Sequence, residues 1–288
     1  MNIAEVMEDS LRYPLLDWKK LIILGIIILF TSMSGIGLIF SLFGVTDISI
    51  ARFFNIFYLL VYGYLFRVIK SPTWNRELPE FDEWQEMFKD GIKVFIIGFV
   101  YSIPAILLIL IFAVVPFVSN MGFIGSNMST VIAILGSTMG IGSLVPILYM
   151  IIIMPLLLVG IMNMAYNNNE LSAAFRFDEI IDFLIVDKKY FVAWYVVTGI
   201  SYVVIFLLGS VLFMILGLLI HPLLGQVVST LTIGQIFTLL IIVPYINIYL
   251  ARSLSLFINQ SPAECIENSE KLTNIIREKI LEGRLWKQ

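Results

Sequence analysis

The sequence is short of most of what a soluble domain uses. Charged residues make up 14% of its 288 positions, against about 25% in an ordinary soluble domain. A single cysteine, Cys265, leaves no partner for an internal disulfide, and with one histidine, His221, no Cys/His cluster exists to hold a metal. One histidine also excludes a two-histidine metal site and cannot form a conventional catalytic triad by itself. There is no basic excess either: the formal charge is −3, so nucleic acid has no electrostatic footprint to bind. The first twenty residues contain Glu5, Glu8, Asp9 and Asp17, unlike the short basic start of a cleaved signal peptide. No cofactor is expected.

The most informative absence is positional. No Asp, Glu, Lys or Arg occurs from Leu21 to Thr46, from Val94 to Asn169 or from Tyr190 to Ala251, runs of 26, 76 and 62 residues. About 20 apolar residues carry a helix across the hydrocarbon core of a bilayer, so these runs hold several crossings and exclude a soluble fold. What fills them is apolar: 59% of the chain is hydrophobic. The expected class is all-α, an integral membrane protein with spans near 21–43, 48–69, 94–118, 142–166, 191–220 and 229–251. In the second span Arg52 and Arg67 bracket 14 uncharged residues, and both can extend their heads out of the hydrocarbon.

Basic residues set the parity. With six spans, 17 of the 18 Lys and Arg fall on one side, Arg52 being the exception. A seventh crossing would move the last nine across, against the positive-inside rule. The expected location is the cell membrane, with both termini cytoplasmic. Residues 119–141 then form either a glycine-rich outer loop or a re-entrant segment. Residues 1–257 are the membrane domain, and 258–288 form a cytoplasmic amphipathic helix opened by Ser261-Pro262-Ala263-Glu264.

A unit recurs along this frame. Phe81-Asp82-Glu83 and Phe177-Asp178-Glu179 stand 96 residues apart, and in the same register Lys93 matches Lys189 and Phe95 matches Phe191. Met7-Glu8-Asp9, followed by Lys19, is a fainter first copy. Around the second copy Phe81, Trp84 and Phe88 share one helical face while Asp82, Glu83 and Glu86 lie elsewhere, the pattern of a helix at the membrane surface. The expected architecture is a six-helix bundle of three parallel repeats, each a cytoplasmic surface helix followed by a two-span hairpin.

Several of these stretches resemble a known family. The opening Glu8-Asp9-Ser10-Leu11-Arg12-Tyr13-Pro14 with Asp17-Trp18 is one. Gly63-Tyr64-Leu65-Phe66-Arg67-Val68-Ile69-Lys70-Ser71, running into Glu77-Leu78-Pro79-Glu80-Phe81-Asp82-Glu83-Trp84, is the most specific. Leu171-Ser172-Ala173-Ala174-Phe175-Arg176-Phe177-Asp178-Glu179-Ile180 is the third. Together they resemble domain of unknown function 4013, a mainly archaeal family of polytopic membrane proteins, over most of the chain to about Arg252. The resemblance implies an archaeal membrane protein and supplies no activity or catalytic residue.

Little in the spans can do chemistry. Ionisable residues inside spans are costly and usually mark transport or catalysis, and the span interiors hold none. Asn163 and Asn247 are the principal polar candidates, for helix-to-helix hydrogen bonds or, less readily, substrate contacts. Phe81, Asp82, Glu83, Trp84, Phe88, Phe177, Asp178 and Glu179 form the candidate docking surface. Their acids either pair with the chain's own Arg67, Lys70 and Arg176 or receive a basic partner. The leading expectation is a non-enzymatic scaffold or accessory protein that organises membrane lipids or a protein partner. A permease for a neutral or lipid-like substrate comes next and a membrane enzyme last. No feature sets an oligomeric state.

Overall fold

A computed structural model of the chain describes residues 3–32, 37, 55–71, 76–119, 148–149, 151–186, 188–224 and 230–257. Among them every regular element is helical. In chain order the helices are α1 (Ile3–Arg12), α2 (Trp18–Thr31), α3 (Leu59–Lys70), α4 (Trp84–Ser119), α5 (Ile151–Tyr166), α6 (Phe177–Val186), α7 (Lys188–Leu224), α8 (Thr230–Phe237) and α9 (243–257). Arg52, the expected outer segment 119–141 beyond Ser119, and the amphipathic tail 258–288 lie outside the described residues.

Three helical runs, Trp84–Ile111, Lys189–Leu219 and Gly234–Phe257, are long and apolar enough to cross a membrane. Large apolar side chains such as Phe99, Leu107 and Ile111 on α4, and Ile200, Leu208 and Leu219 on α7, are exposed. Burial in protein does not account for their apolarity, and lipid is the solvent that suits them. The other expected spans are described only in part. α2 stops at Thr31, where Ser32 turns extended and donates its N–H to Ile28 O at 2.9 Å. α3 is entered through a 3-10 turn, Asn55–Tyr58.

The stretch expected to form a surface helix before the third span differs from that expectation. Helix begins only at Trp84 and runs unbroken for 36 residues, about 54 Å and well beyond a hydrocarbon core of roughly 30 Å. Residues 84–93 are therefore an extension of the spanning helix. Residues 76–83 are not helical, and Glu83 takes a left-handed φ of 45° immediately before α4 starts. Of the other two stretches, α1 ends at Arg12, ahead of a 3-10 turn and α2, and residues 177–186 are helical as α6.

The described residues group into two compact units, Met1–Glu83 with Val192–Gln288, and Trp84–Phe191. In the first unit α9 is the most buried element, with Ile246, Ile248, Tyr249, Arg252, Leu254, Leu256 and Phe257 all nearly inaccessible. Between α8 and α9 the chain widens into a π-helical turn, Thr238–Ile242, closed by Val243 N–H on Thr238 O. Pro244 explains the widening, because it has no N–H to give the carbonyl of Leu240, four residues back. That carbonyl is laid against Gly25 of α2: a methyl built on Gly25 would stand 2.7 Å from Leu240 C and 3.0 Å from its Cα. In the second unit, α5 ends in Asn167-Asn168-Asn169. Asn168 and Asn169 take φ of 51° and 61°, a conformation Asn tolerates better than most residues. Asn169 N–H returns to Met164 O at 3.0 Å.

Candidate functional site

A backbone outside helix or sheet leaves its carbonyls unpaired, and the non-helical segment 77–83 has nearly all of them taken by side chains. Tyr13 Oη donates to Glu77 O at 2.8 Å, Lys20 Nζ to Leu78 O at 2.7 Å and Tyr64 Oη to Pro79 O at 3.3 Å. Arg67 Nη1 donates to Glu80 O (3.3 Å), Asp82 O (2.9 Å) and Asp82 Oδ1 (2.7 Å), and its Nη2 to Glu83 O (3.2 Å). The Phe81 ring stacks on Tyr64 with centroids 4.2 Å apart and planes 4° from parallel. Donors of this number and strength offer the backbone an alternative to helix, which is why the acid-rich stretch stays out of helix as a strap. Its carboxylates stay largely in water: Glu80, Asp82 and Glu83 side chains are 71%, 65% and 66% exposed.

Electrostatics reinforce the geometry. Burial pulls the Lys20 ammonium down, but the hydrogen bond and charge of Glu80, with Asp17 behind it, outweigh that and raise it above its ordinary value. Burial raises the Tyr13 phenol, which therefore stays protonated and able to donate. Arg67→Ala is expected to free the strap at a cost of about 2 kcal/mol, the scale of hydrogen bonds to a charged donor. Arg67→Lys is not expected to rescue it, since one ammonium cannot fork across two residues. Limited digestion with a glutamate-specific protease checks this: cleavage between Glu77 and Glu83 should accelerate in both variants.

The second unit holds a related arrangement. Asn163 Nδ2 donates to Ala173 O at 2.9 Å and to Glu179 Oε2 at 2.8 Å, while Asn163 Oδ1 accepts from Asn167 Nδ2 at 2.9 Å. Tyr101 Oη donates to Ala174 O at 2.9 Å, and Lys93 Nζ to Asn169 O at 3.1 Å. Residues 171–175 form a 3-10 turn there. Arg67 and Glu83 are 16 positions apart, as are Asn163 and Glu179. Tyr64 corresponds in this register to Gly160, and Tyr101 fills the gap: its Oη lies 3.1 Å from where a Cβ on Gly160 would be. The same ring sits 5.8 Å from Phe177.

Glu179 is held below the usual carboxylate range, first by its hydrogen bond from Asn163 and then by Arg176, 3.3 Å away. A depressed carboxylate contributes stability above its unfolded pKa and loses it as pH falls through the lower folded value. The melting temperature of the detergent-solubilised protein should therefore be insensitive to this contact at neutral pH and decline below about pH 4.5. In Glu179→Gln this part of the acid-side decline should disappear.

A third acid is held in the first unit, on α1. Arg252 Nε donates to Asp9 Oδ2 at 3.1 Å, with the arginine side chain 1% exposed and the aspartate 35%. The guanidinium also lies over the Tyr13 ring, 4.4 Å from its centroid. Three residues before Arg252, Tyr249 donates to Met7 Sδ at 3.7 Å, as does Thr198 from α7. Tyr245 Oη donates to Leu11 O at 2.8 Å. The receiving helix thus carries Tyr and Arg three apart twice, as Tyr64/Arg67 and Tyr249/Arg252. Their targets, Phe81/Glu83 and Met7/Asp9, are two apart each time.

A family model described as protein of unknown function, DUF4013, matches residues 48–214, more than half of the chain. The chain is a DUF4013 protein. The match contains both Arg67 with its strap and Asn163 with Glu179, and leaves the opening stretch Glu8–Trp18 and Arg252 outside. No curated protein and no solved structure matches the chain.

In this DUF4013 protein the candidate residues divide clearly. Phe81, Asp82 and Glu83 are brought together on Arg67 and Tyr64. Trp84 and Phe88 lie on the first turns of α4, Trp84 exposed and Phe88 half-buried. Phe177, Asp178 and Glu179 open α6, all exposed, with Glu179 held by Asn163. Asn247 is half-buried on α9. No group of His, Cys, Asp and Glu suited to a metal occurs among the described residues. Sequence reasoning missed Tyr13, Lys20, Tyr101, Tyr249 and Arg252. The signal was available: carrying the 96-residue register onto the receiving helix pairs Arg67 with Asn163, and the last charge-free run is closed by Arg252 as the second span is closed by Arg67.

Proposed function

We propose that this chain is a non-enzymatic integral membrane protein of six spans and three parallel repeats, both termini cytoplasmic, which serves as a scaffold or accessory protein. The observation that carries the scaffold reading is the strap. Its backbone is fastened at nearly every carbonyl, while the carboxylates of Glu80, Asp82 and Glu83 remain mostly exposed. A rigid acidic edge of this kind suits a basic cytoplasmic segment of a partner, since little ordering entropy is left to lose on binding.

The three held acids support the repeat. In each case an acid that precedes one hairpin is gripped by a late residue of a spanning helix, Arg67, Asn163 or Arg252. The permease alternative is less favoured by Asn163, whose amide and carbonyl are both used within the protein. Native mass spectrometry of protein purified in mild detergent tests the reading. A bound basic protein that is lost when Glu80 and Asp82 are neutralised to Gln and Asn, whose side-chain oxygens can still accept from Lys20 and Arg67, supports the scaffold. A neutral small ligand would favour the permease, and a clean monomer carrying nothing counts against the scaffold.

A further inference from the structure

The turn between α1 and α2 holds its backbone tightly and still leaves apolar side chains uncovered. Tyr13 and Pro14 are buried, and Leu16 N–H donates to Tyr13 O at 3.2 Å. Asp17 then caps α2, its Oδ1 accepting from Lys19 N at 3.0 Å and Lys20 N at 3.2 Å. Yet Leu15, Leu16 and Trp18 are 43%, 53% and 53% exposed. The exposure continues along α2: Ile22, Ile26 and Phe30 follow Trp18 at steps of four, while Leu21, Leu24, Gly25 and Ile28 are buried. The two lysines divide here. Lys20, its side chain 12% exposed, reaches Leu78 O and Glu80 Oε1, both at 2.7 Å, whereas Lys19 is exposed beside Trp18.

Water is a poor solvent for this corner, and the stripe it continues points to another. Ile22, Ile26 and Phe30 lie in the charge-free run from Leu21, and they are exposed as the lipid-suited side chains of α4 and α7 are. At the head of such a stripe an indole and a lysine suit the boundary between acyl chains and headgroups. The indole joins an apolar body to an N–H donor, and the ammonium can meet lipid phosphate. We propose that Leu15, Leu16, Trp18 and Lys19 form a membrane-interface anchor, seated in the headgroup region of one phospholipid leaflet. The proposal rests on reading α2 as part of a spanning helix. The anchor also sets the depth of the strap, because Lys20 ties Leu78 and Glu80 to the first turn of α2. A partner that meets Glu80 must then approach along the bilayer surface.

Depth-dependent fluorescence quenching of the full chain in phosphatidylcholine vesicles tests it. In a Cys265→Ser background, Glu8→Cys, Leu15→Cys, Leu16→Cys and Ile26→Cys are each labelled with an environment-sensitive dye. The vesicle lipids carry bromine either near the headgroup or near the end of the acyl chain. All four sites are exposed, so the labels leave the packed face of α2 untouched. Shallow bromines should quench the dyes at 15 and 16 at least threefold more than deep ones. At 26 the order should reverse, since eight helical residues beyond Trp18 carry that dye about 12 Å deeper. The dye at 8 should be quenched by neither. Dyes at 15 and 16 that behave like the one at 8, with 26 still quenched, overturn the anchor and leave the spanning reading standing. Deep bromines quenching 15 and 16 best would also overturn it, placing the corner inside the hydrocarbon. A dye at 26 that escapes both bromines overturns the anchor and the spanning reading together.

Discussion

Gly25→Ala should abolish most of the folded yield of this protein. The new methyl would overlap the carbonyl oxygen of Leu240 and crowd its C and Cα at 2.7 and 3.0 Å. Those are backbone atoms, so no rotamer change relieves the overlap, and α2 must move away from the π-helical turn. Overpacking of a fitted interface costs about 1–3 kcal/mol, and the upper end applies where backbone meets backbone. The loss is compounded because the freed Leu240 carbonyl exists only through Pro244, and an apolar surrounding leaves a displaced carbonyl without water. Gly98→Ala and Gly199→Ala are the controls: nothing lies within 4 Å of a methyl at either site. Both should stay within about 1 kcal/mol of the parent or gain slightly from helix propensity. Melting temperature and monodisperse yield in detergent separate the two outcomes.

Asp9→Ala should be nearly as damaging, and its remedy distinguishes the cause. Removing the aspartate strands an arginine that is 1% exposed, and an uncompensated buried charge costs about 3–5 kcal/mol. The Tyr13 ring offsets part of this, about 1 kcal/mol for a cation over an aromatic face. Adding Arg252→Met to Asp9→Ala removes the stranded charge and keeps the volume, so the double variant should recover most of the lost stability. If the pair acted as an ordinary surface bridge, Asp9→Ala alone would cost under about 1 kcal/mol and the second substitution would add nothing. Glu80→Gln supplies that comparison directly, since its carboxylate is largely in water.

The sequence made the apolar class of the helices and the acid triplets legible, because both follow from composition over short windows. Hydrophobic runs announce α4, α7 and the run ending in α9, and the Phe81 and Phe177 triplets stand out at a fixed offset. The local state of residues 77–83 was not legible. Pro79 and the early acids satisfy the rules for a helix start, yet four side chains from α2, α3 and the turn after α1 capture the backbone first. Those donors lie up to 64 positions away, beyond the reach of any periodicity argument. Arg252 was counted as a charge for orientation, whereas its partner, 243 positions distant, makes it the most buried cation among the described residues. The π-helical turn was equally hidden, although Pro244 was visible, because a proline alone does not say which neighbour receives the released carbonyl.

Gly160 and Tyr101 constrain each other. A methyl at Gly160 would stand 2.9 Å from Ala174 O and 3.1 Å from the Tyr101 hydroxyl, so the two positions share one aromatic ring's worth of space. A side chain at 160 therefore needs the Tyr101 hydroxyl gone and the 171–175 turn moved as well, so Tyr101→Phe should rescue the melting temperature of Gly160→Ala only in part.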